Sequence, residues 1–139
     1  MTFPTLAEVE RLLSGKNQRI ERLFNSGRLR EGVQEFYTQD VRYLSTDFRL
    51  LRGHDQVVEF LEQIRTQFSE LRLEPVETLG DAAGRRTVLQ FVNVSMQPVA
   101  GGETAYAHYV ACFRPVGDDW LCEMEAPVFG RMTAGEDRA

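Results

Sequence analysis

The chain has 139 residues, 42% apolar and 27% charged, a globular composition long enough to bury roughly two-thirds of its unfolded surface in one core without disulfides or metals. A formal net charge of −5, with the arginines at 11, 19, 22, 28, 30, 42, 49 and 52 spaced among acids, argues against a nucleic-acid binder, which needs a clustered basic surface. No apolar run approaches the ~18 residues of a membrane span, and "MTFPTLAEVER" lacks the basic start and apolar core of a secretory signal, so no membrane partner is expected and the expected location is cytoplasmic.

Thr5 followed by Glu8 is a capping box, and Leu6, Val9, Leu12, Leu13, Ile20, Leu23 and Phe24 recur at helical spacing, which predicts a first helix from about 5 to 24. Ser14 and Gly15 predict a bend or a break near its middle. "NSG" at 25–27 stops it, and "RLREGVQEF" makes a short second helix with Leu29, Val33 and Phe36 on its inner face. The period then changes to two: "DVRYLS" reads as a strand, turning at "TD" into a short partner "FRLLR". "GHDQVVEFLEQIRTQF" returns to helical spacing, with Asp55 where a carboxylate favours a helix N-terminus.

Four strands follow, at about 70–80, 86–98, 103–115 and 119–128, separated by the turn-rich "GDAAG", "VAGG" and "VGDD". Helices first and strands last, joined by hairpin-length loops, predict an α+β fold with a mainly antiparallel sheet. One domain is expected over 1–129, with 130–139 a solvated, disordered tail.

Three stretches carry a resemblance to a known family: "FNSGRLREGVQEFYTQDVRYLS" at 24–45, "RGHDQVVEFL" at 52–61 and "YVACFRPVGDDWLCE" at 109–123. Together they resemble the nuclear transport factor two-like superfamily, the SnoaL-like fold, over about residues 5–129. The resemblance implies three helices packed on a strongly curved sheet that forms a cone around an internal pocket, often dimerising through the outer sheet face.

In similar proteins the residue corresponding to Phe113 points inward, which turns Tyr109 and Ala111 inward and Tyr106, His108, Val110 and Cys112 outward. If Arg114 lies opposite Trp120, a five-residue loop closes the last hairpin, and Phe113 faces Leu121, Ala111 lies near Glu123, Tyr109 near Glu125, and Cys112 opposite Cys122. This register places Glu123 and Glu125 in the pocket. It leaves Trp120, Cys122 and Met124, with Val110 beside them, as an apolar outer patch that a second subunit would cover, so a homodimer is expected. On the neighbouring strand Val88, Val92, Val94 and Met96 are expected inside with Gln90. Tyr43 and Ser45 should face inward with Val41, and Asp47 should stand at a turn near the pocket mouth.

Glu123 and Glu125, about 7 Å apart on one strand face, are the candidate catalytic pair, since two carboxylates in a dry pocket raise at least one pKa and supply an acid or base. Glu125 also matches a position where several similar enzymes place an acidic residue. The alternative is a solvated strand face paired with arginines. Tyr109 and Tyr43 are candidate hydrogen-bond donors to a substrate carbonyl or enolate, or packing residues with satisfied hydroxyls. Gln90 and Asp47 are further substrate-binding candidates.

Cys112 and Cys122 match no zinc spacing, His54 and His108 stand far apart, and no glycine pattern fits a phosphate loop, so no metal and no cofactor are expected. The ketosteroid isomerase catalytic positions are held approximately by Ile20, Ser45 and Ala111, and the strand from Thr87 to Pro98 lacks the arginine of limonene-epoxide hydrolases. The remaining resemblance is to SnoaL-like cyclases. It implies a cofactor-independent cyclase, isomerase or dehydratase acting on a small hydrophobic molecule such as a polyketide-like intermediate. A ligand-binding or assembly domain without catalysis is the alternative.

Overall fold

The computed structural model describes residues 4–130 and residue 132. Thr5 opens the first helix, its hydroxyl accepting the Glu8 N–H at 3.2 Å. Helix α1 (Leu6–Asn25) then runs unbroken through Ser14 and Gly15. Both residues are exposed, while Val9, Leu13, Leu23 and Phe24 are buried on the opposite side. Packing of that stripe outweighs the roughly 1 kcal/mol that a helical glycine costs, so the helix does not break there.

At the end of α1 the chain turns through Gly27, whose φ of +80° suits glycine. Arg65 reaches across from the third helix to cap the orphan carbonyls, donating to Phe24 O at 2.9 Å and Asn25 O at 3.3 Å. Helix α2 (Leu29–Phe36) passes directly into strand β1 (Tyr37–Leu44), because Tyr37 is already extended at φ −109° and ψ 148°. The strand therefore begins three residues earlier than the alternation of "DVRYLS" suggests. Strand β2 (Leu50–Arg52) and helix α3 (Gly53–Gln67) follow, and the long strands β3 (Phe68–Gly80), β4 (Val88–Pro98), β5 (Ala105–Val116) and β6 (Asp119–Phe129) complete the fold.

The six strands form one open sheet in the order β2-β1-β6-β5-β4-β3. Every neighbouring pair is antiparallel except β1 and β6, which run parallel. Two register shifts between β3 and β4, at Ser69/Arg72 and Pro75/Glu77, are bulges of the kind that bend and twist a sheet. The three helices fill the concave side, and their apolar residues join Val41, Val88, Val92, Phe113 and Trp120 in one core. The α+β class, the curved, mainly antiparallel sheet and the helices in its hollow agree with the sequence reading.

The last hairpin departs from it. Val116 pairs with Asp119 and Pro115 with Trp120, so a two-residue loop, Gly117-Asp118, closes the hairpin in place of the expected five-residue one. Gly117 adopts φ +60°, the left-handed conformation that two-residue hairpin turns demand. Further along, Phe113 pairs with Cys122 but Cys112 with Met124, leaving Glu123 as the extra residue of a bulge. A bulge reverses the facing of everything beyond it.

Trp120 and Cys122 therefore point into the core, 3% and 0% exposed, whereas Met124 points out, 52% exposed, and Glu125 points in. Of the four residues assigned to the outer patch, Val110 and Met124 stand on the convex face and Trp120 and Cys122 do not. Cys112 and Cys122 lie on opposite faces, and both are free thiols.

The inward set on β5 (Tyr109, Ala111, Phe113) and on β4 (Val88, Gln90, Val92, Val94) is buried as expected. Within the segment expected to be a solvated tail, residues 131 and 133–139 lie outside the described residues. Gly130 donates its N–H to Tyr106 O at 3.0 Å, and Met132 exchanges hydrogen bonds with the Asn93 side chain.

Candidate functional site

Between the helices and the concave face lies a cavity of about 110 Å³. Its floor is sheet and its roof is helix: Tyr37 and Tyr43 from β1, Tyr109 from β5 and Glu125 from β6 meet Phe24, Phe36 and Phe60 from the three helices. Apart from Thr46, the tyrosine hydroxyls and one carboxyl, the lining is apolar. The carboxyl is Glu125, 4% exposed.

Glu125 owes this position to the bulge at Glu123, without which the same strand would turn it to the outer face. Its neighbours follow from the sheet register. On the parallel strand β1 its Cα partner is Tyr43, and on β5 it is Ala111, whose methyl leaves the carboxyl room. Tyr37, six residues before Tyr43 and beyond an irregularity in the β1–β6 register, donates its hydroxyl to Glu125 Oε1 at 2.9 Å. His54, at the start of α3, holds Tyr37 from behind, donating Nε2–H to its carbonyl oxygen at 2.9 Å.

The electrostatics are those of a carboxyl stripped of water, with no cationic side chain among the described residues lining the cavity. Burial raises the Glu125 pKa from 4.5 to about 7, and the hydrogen bonds from Tyr37 and Tyr43, which favour the ionised form, hold it from rising further. The tyrosines respond in kind: burial and the neighbouring carboxylate push the phenols of Tyr37, Tyr43 and Tyr109 well above their usual range. They remain donors at any ordinary pH. Burial and the same carboxylate also push up the Cys122 thiol, which is fully enclosed and donates to Met124 O at 3.3 Å across the bulge.

The candidates named from the sequence separate into two groups. Glu125, Tyr43 and Tyr109 line the cavity together. Glu123 does not: it stands on the outer side, accepting a hydrogen bond from Arg114 at 3.2 Å, with Cys112 Sγ 3.7 Å away. The expectation of a carboxylate pair in the pocket is corrected by the bulge to a single carboxyl.

Gln90 is inward and fully buried, yet away from the cavity, accepting from Asn17 Nδ2 at 2.8 Å and donating to Thr78 Oγ1 at 3.3 Å. It stitches α1 to β4 and β3. Asp47 stays in the β1–β2 turn, accepting from the Ser45 hydroxyl and from Arg49 Nε at 2.9 Å, while its neighbour Thr46 reaches the cavity.

Tyr37 is the residue that the sequence reading passed over. Alternation alone does not carry it inward: Thr38 is buried, Gln39 is exposed, and the pairing of β1 with β6 shifts register between Tyr37 and Arg42. Among the described residues no group of three or more His, Cys, Asp or Glu could hold a metal ion, and no helix is long and apolar enough to cross a membrane.

The comparisons with known proteins agree with this fold. Solved structures share the fold, three of them as follows. A ketosteroid isomerase-like protein from Erwinia carotovora atroseptica superposes with a TM-score of 0.70 at 13% identity, over 86% of this chain and 94% of that one. A scytalone dehydratase candidate from Novosphingobium aromaticivorans gives 0.69 at 16% identity, over 94% and 89%. A nuclear transport factor two-like protein from Cytophaga hutchinsonii gives 0.65 at 9%, over 86% and 97%. None of the curated proteins matches the chain. The family model of the SnoaL-like domain matches residues 18–121, a span that takes in Tyr37, Tyr43 and Tyr109 and stops short of Glu125. Three-quarters of the chain matches that model: this protein belongs to the SnoaL-like domain family.

Proposed function

We propose that this protein is a small-molecule enzyme in which Glu125 moves a proton on a largely apolar substrate held in the cavity, as a cofactor-independent isomerase, dehydratase or cyclase. The observation that carries the reading is the Glu125 carboxyl itself. It is buried against apolar walls, supported by the Tyr37 hydroxyl at 2.9 Å, and poised near pH 7, where a general acid or base is most effective. As carboxylate it takes a proton from a carbon acid or a hydroxyl; as carboxylic acid it returns the proton elsewhere on the substrate or to a leaving group. Tyr109, protonated throughout, would donate to a carbonyl or developing oxyanion, and Tyr43, whose hydroxyl also serves Glu125, would share in that role.

Glu123 has no part in this scheme, and Glu125 is tuned instead by the Tyr37 and Tyr43 hydroxyls. Proton transfer within one substrate requires no redox cofactor. The isomerase and dehydratase names of the structural neighbours are in keeping with the reading. The cavity, about 110 Å³, is of the same order as the ~150 Å³ void that holds a benzene ring, a scale that favours a one-ring substrate, or one ring of a larger polyketide-like molecule, over a fully enclosed polycycle.

The test is deuterium exchange or isomerisation of a panel of small cyclic ketones and enones in D₂O, followed by NMR. The wild type is expected to exchange at least one of them, with the rate falling at least ~100-fold in Glu125→Gln, the usual weight of a general base. Equal rates in the two proteins contradict the assignment.

A further inference from the structure

The site is built asymmetrically for charge. Among the described residues Glu125 is the sole charged side chain lining the cavity. The titratable groups that face it are Tyr37 and Tyr43 from β1, Tyr109 from β5 and Cys122 from its own strand, all neutral at ordinary pH. The three helices contribute only apolar side chains to the cavity. A carboxylate formed here is balanced by hydroxyl dipoles and by no cation.

Around it stand packed aromatic rings: Phe36 and Tyr37 at 4.8 Å and Tyr37 and Tyr43 at 6.2 Å, both edge to face, and Tyr43 and Phe60 tilted at 5.5 Å between centroids. Aromatic faces attract cations, most strongly where water is excluded. An anionic ligand would bring a second negative charge beside Glu125 with nothing to offset it, and a neutral ligand would leave the carboxylate unpaired.

We infer that the ionised site also takes a second ligand class, small organic cations, with a protonated amine seated against the Glu125 carboxylate inside the aromatic ring set. Such amines would compete with the neutral substrate of the proposed reaction. The inference rests on the cavity being a ligand site and does not require turnover.

The experiment titrates three probes of one shape, cyclopentylamine, cyclopentanol and cyclopentanecarboxylate, into the full chain by NMR and calorimetry at pH 8 and pH 6. The amine stays protonated at both. With Glu125 titrating at about 7, the ionised fraction falls about tenfold between these two conditions, so the amine's affinity is expected to fall about tenfold. At pH 8 the amine should bind at least ~10-fold more tightly than the alcohol, and the carboxylate should not bind.

Glu125→Gln, which keeps the shape and an oxygen for Tyr37, should abolish both the preference and the pH dependence. Phe60→Leu, which keeps the carboxyl, should weaken the amine more than the alcohol. An alcohol that binds as tightly as the amine at pH 8, a pH-independent amine affinity, or an unchanged Glu125→Gln variant overturns the cation inference while leaving the proposed function standing. Absence of binding by all three probes at both pH values overturns the inference and the ligand-site reading beneath it together.

Discussion

The Tyr37 hydroxyl meets Glu125 Oε1 at 2.9 Å across 88 positions of sequence, joining the first strand to the last where the two run parallel in the sheet. This bond favours the ionised carboxyl, so removing it raises the pKa. Tyr37→Phe is expected to move the Glu125 midpoint above about 7 and to shift the lower limb of any pH–rate profile in the alkaline direction. Its stability cost should be about 1 kcal/mol, the net worth of one hydrogen bond. Carboxyl-carbon NMR titration of wild type and variant checks the direction.

Stability should carry the mark of the same group. The folded pKa of Glu125 lies above its value in the unfolded chain, so between about 4.5 and about 7 the unfolded state binds fewer protons than the folded one. The contribution is therefore fully present below the lower value and lost as pH rises through the upper. At about 1.4 kcal/mol per pH unit the loss amounts to about 3 kcal/mol. Glu125→Gln escapes it. In urea unfolding the variant should gain stability over the wild type between pH 4 and pH 8, and a gap between the two that does not change with pH would contradict the burial argument.

Glu123 supplies the contrast. It is half-exposed on the outer side, in a network where Arg114 also holds Asp40 at 3.1 Å, and exposed ion pairs of this kind contribute no more than about 1 kcal/mol. Glu123→Gln should leave turnover unchanged and stability within that limit, as denaturant titration and activity assays would show.

The convex face presents Phe91, Val110, Met124 and Val128, partly or largely exposed, and a homodimer through this face remains our proposal. Val110→Asp with Met124→Asp is expected to shift sedimentation toward the monomer without unfolding. Trp120→Ala, by contrast, opens the core and should cost about 3–5 kcal/mol. A loss of dimer with intact stability in Trp120→Ala would place that residue back outside.

These contrasts show what could be read in the sequence. Helices and strands were legible because their apolar periods are clean, and α1 was misjudged only at Gly15, where an exposed glycine marks no break. Strand β6 was harder. Its alternation was sound on each side of Glu123 but not across it, so one parity places Trp120 and Cys122 correctly and the other places Glu125. No local rule of alternation locates a bulge. The Gly117-Asp118 dipeptide did signal the two-residue turn, and reading it would have corrected the register near the loop.

Tyr37 was obscured by starting β1 at Asp40 and by the register shift between Tyr37 and Arg42. The role of Gln90 was obscured because its partner Asn17 lies on another element, 73 positions away. The inward facing of Tyr109 was readable because β5 runs without interruption from Ala105 to Phe113.

The central claim is that one buried carboxyl, Glu125, is poised to exchange a proton near neutrality inside an apolar cavity. Direct titration of its side-chain carbon by NMR, assigned by comparison with Glu125→Gln, tests it most simply. A midpoint near 7 is the expected result; a midpoint near 4.5, the value of a solvated glutamate, would contradict it.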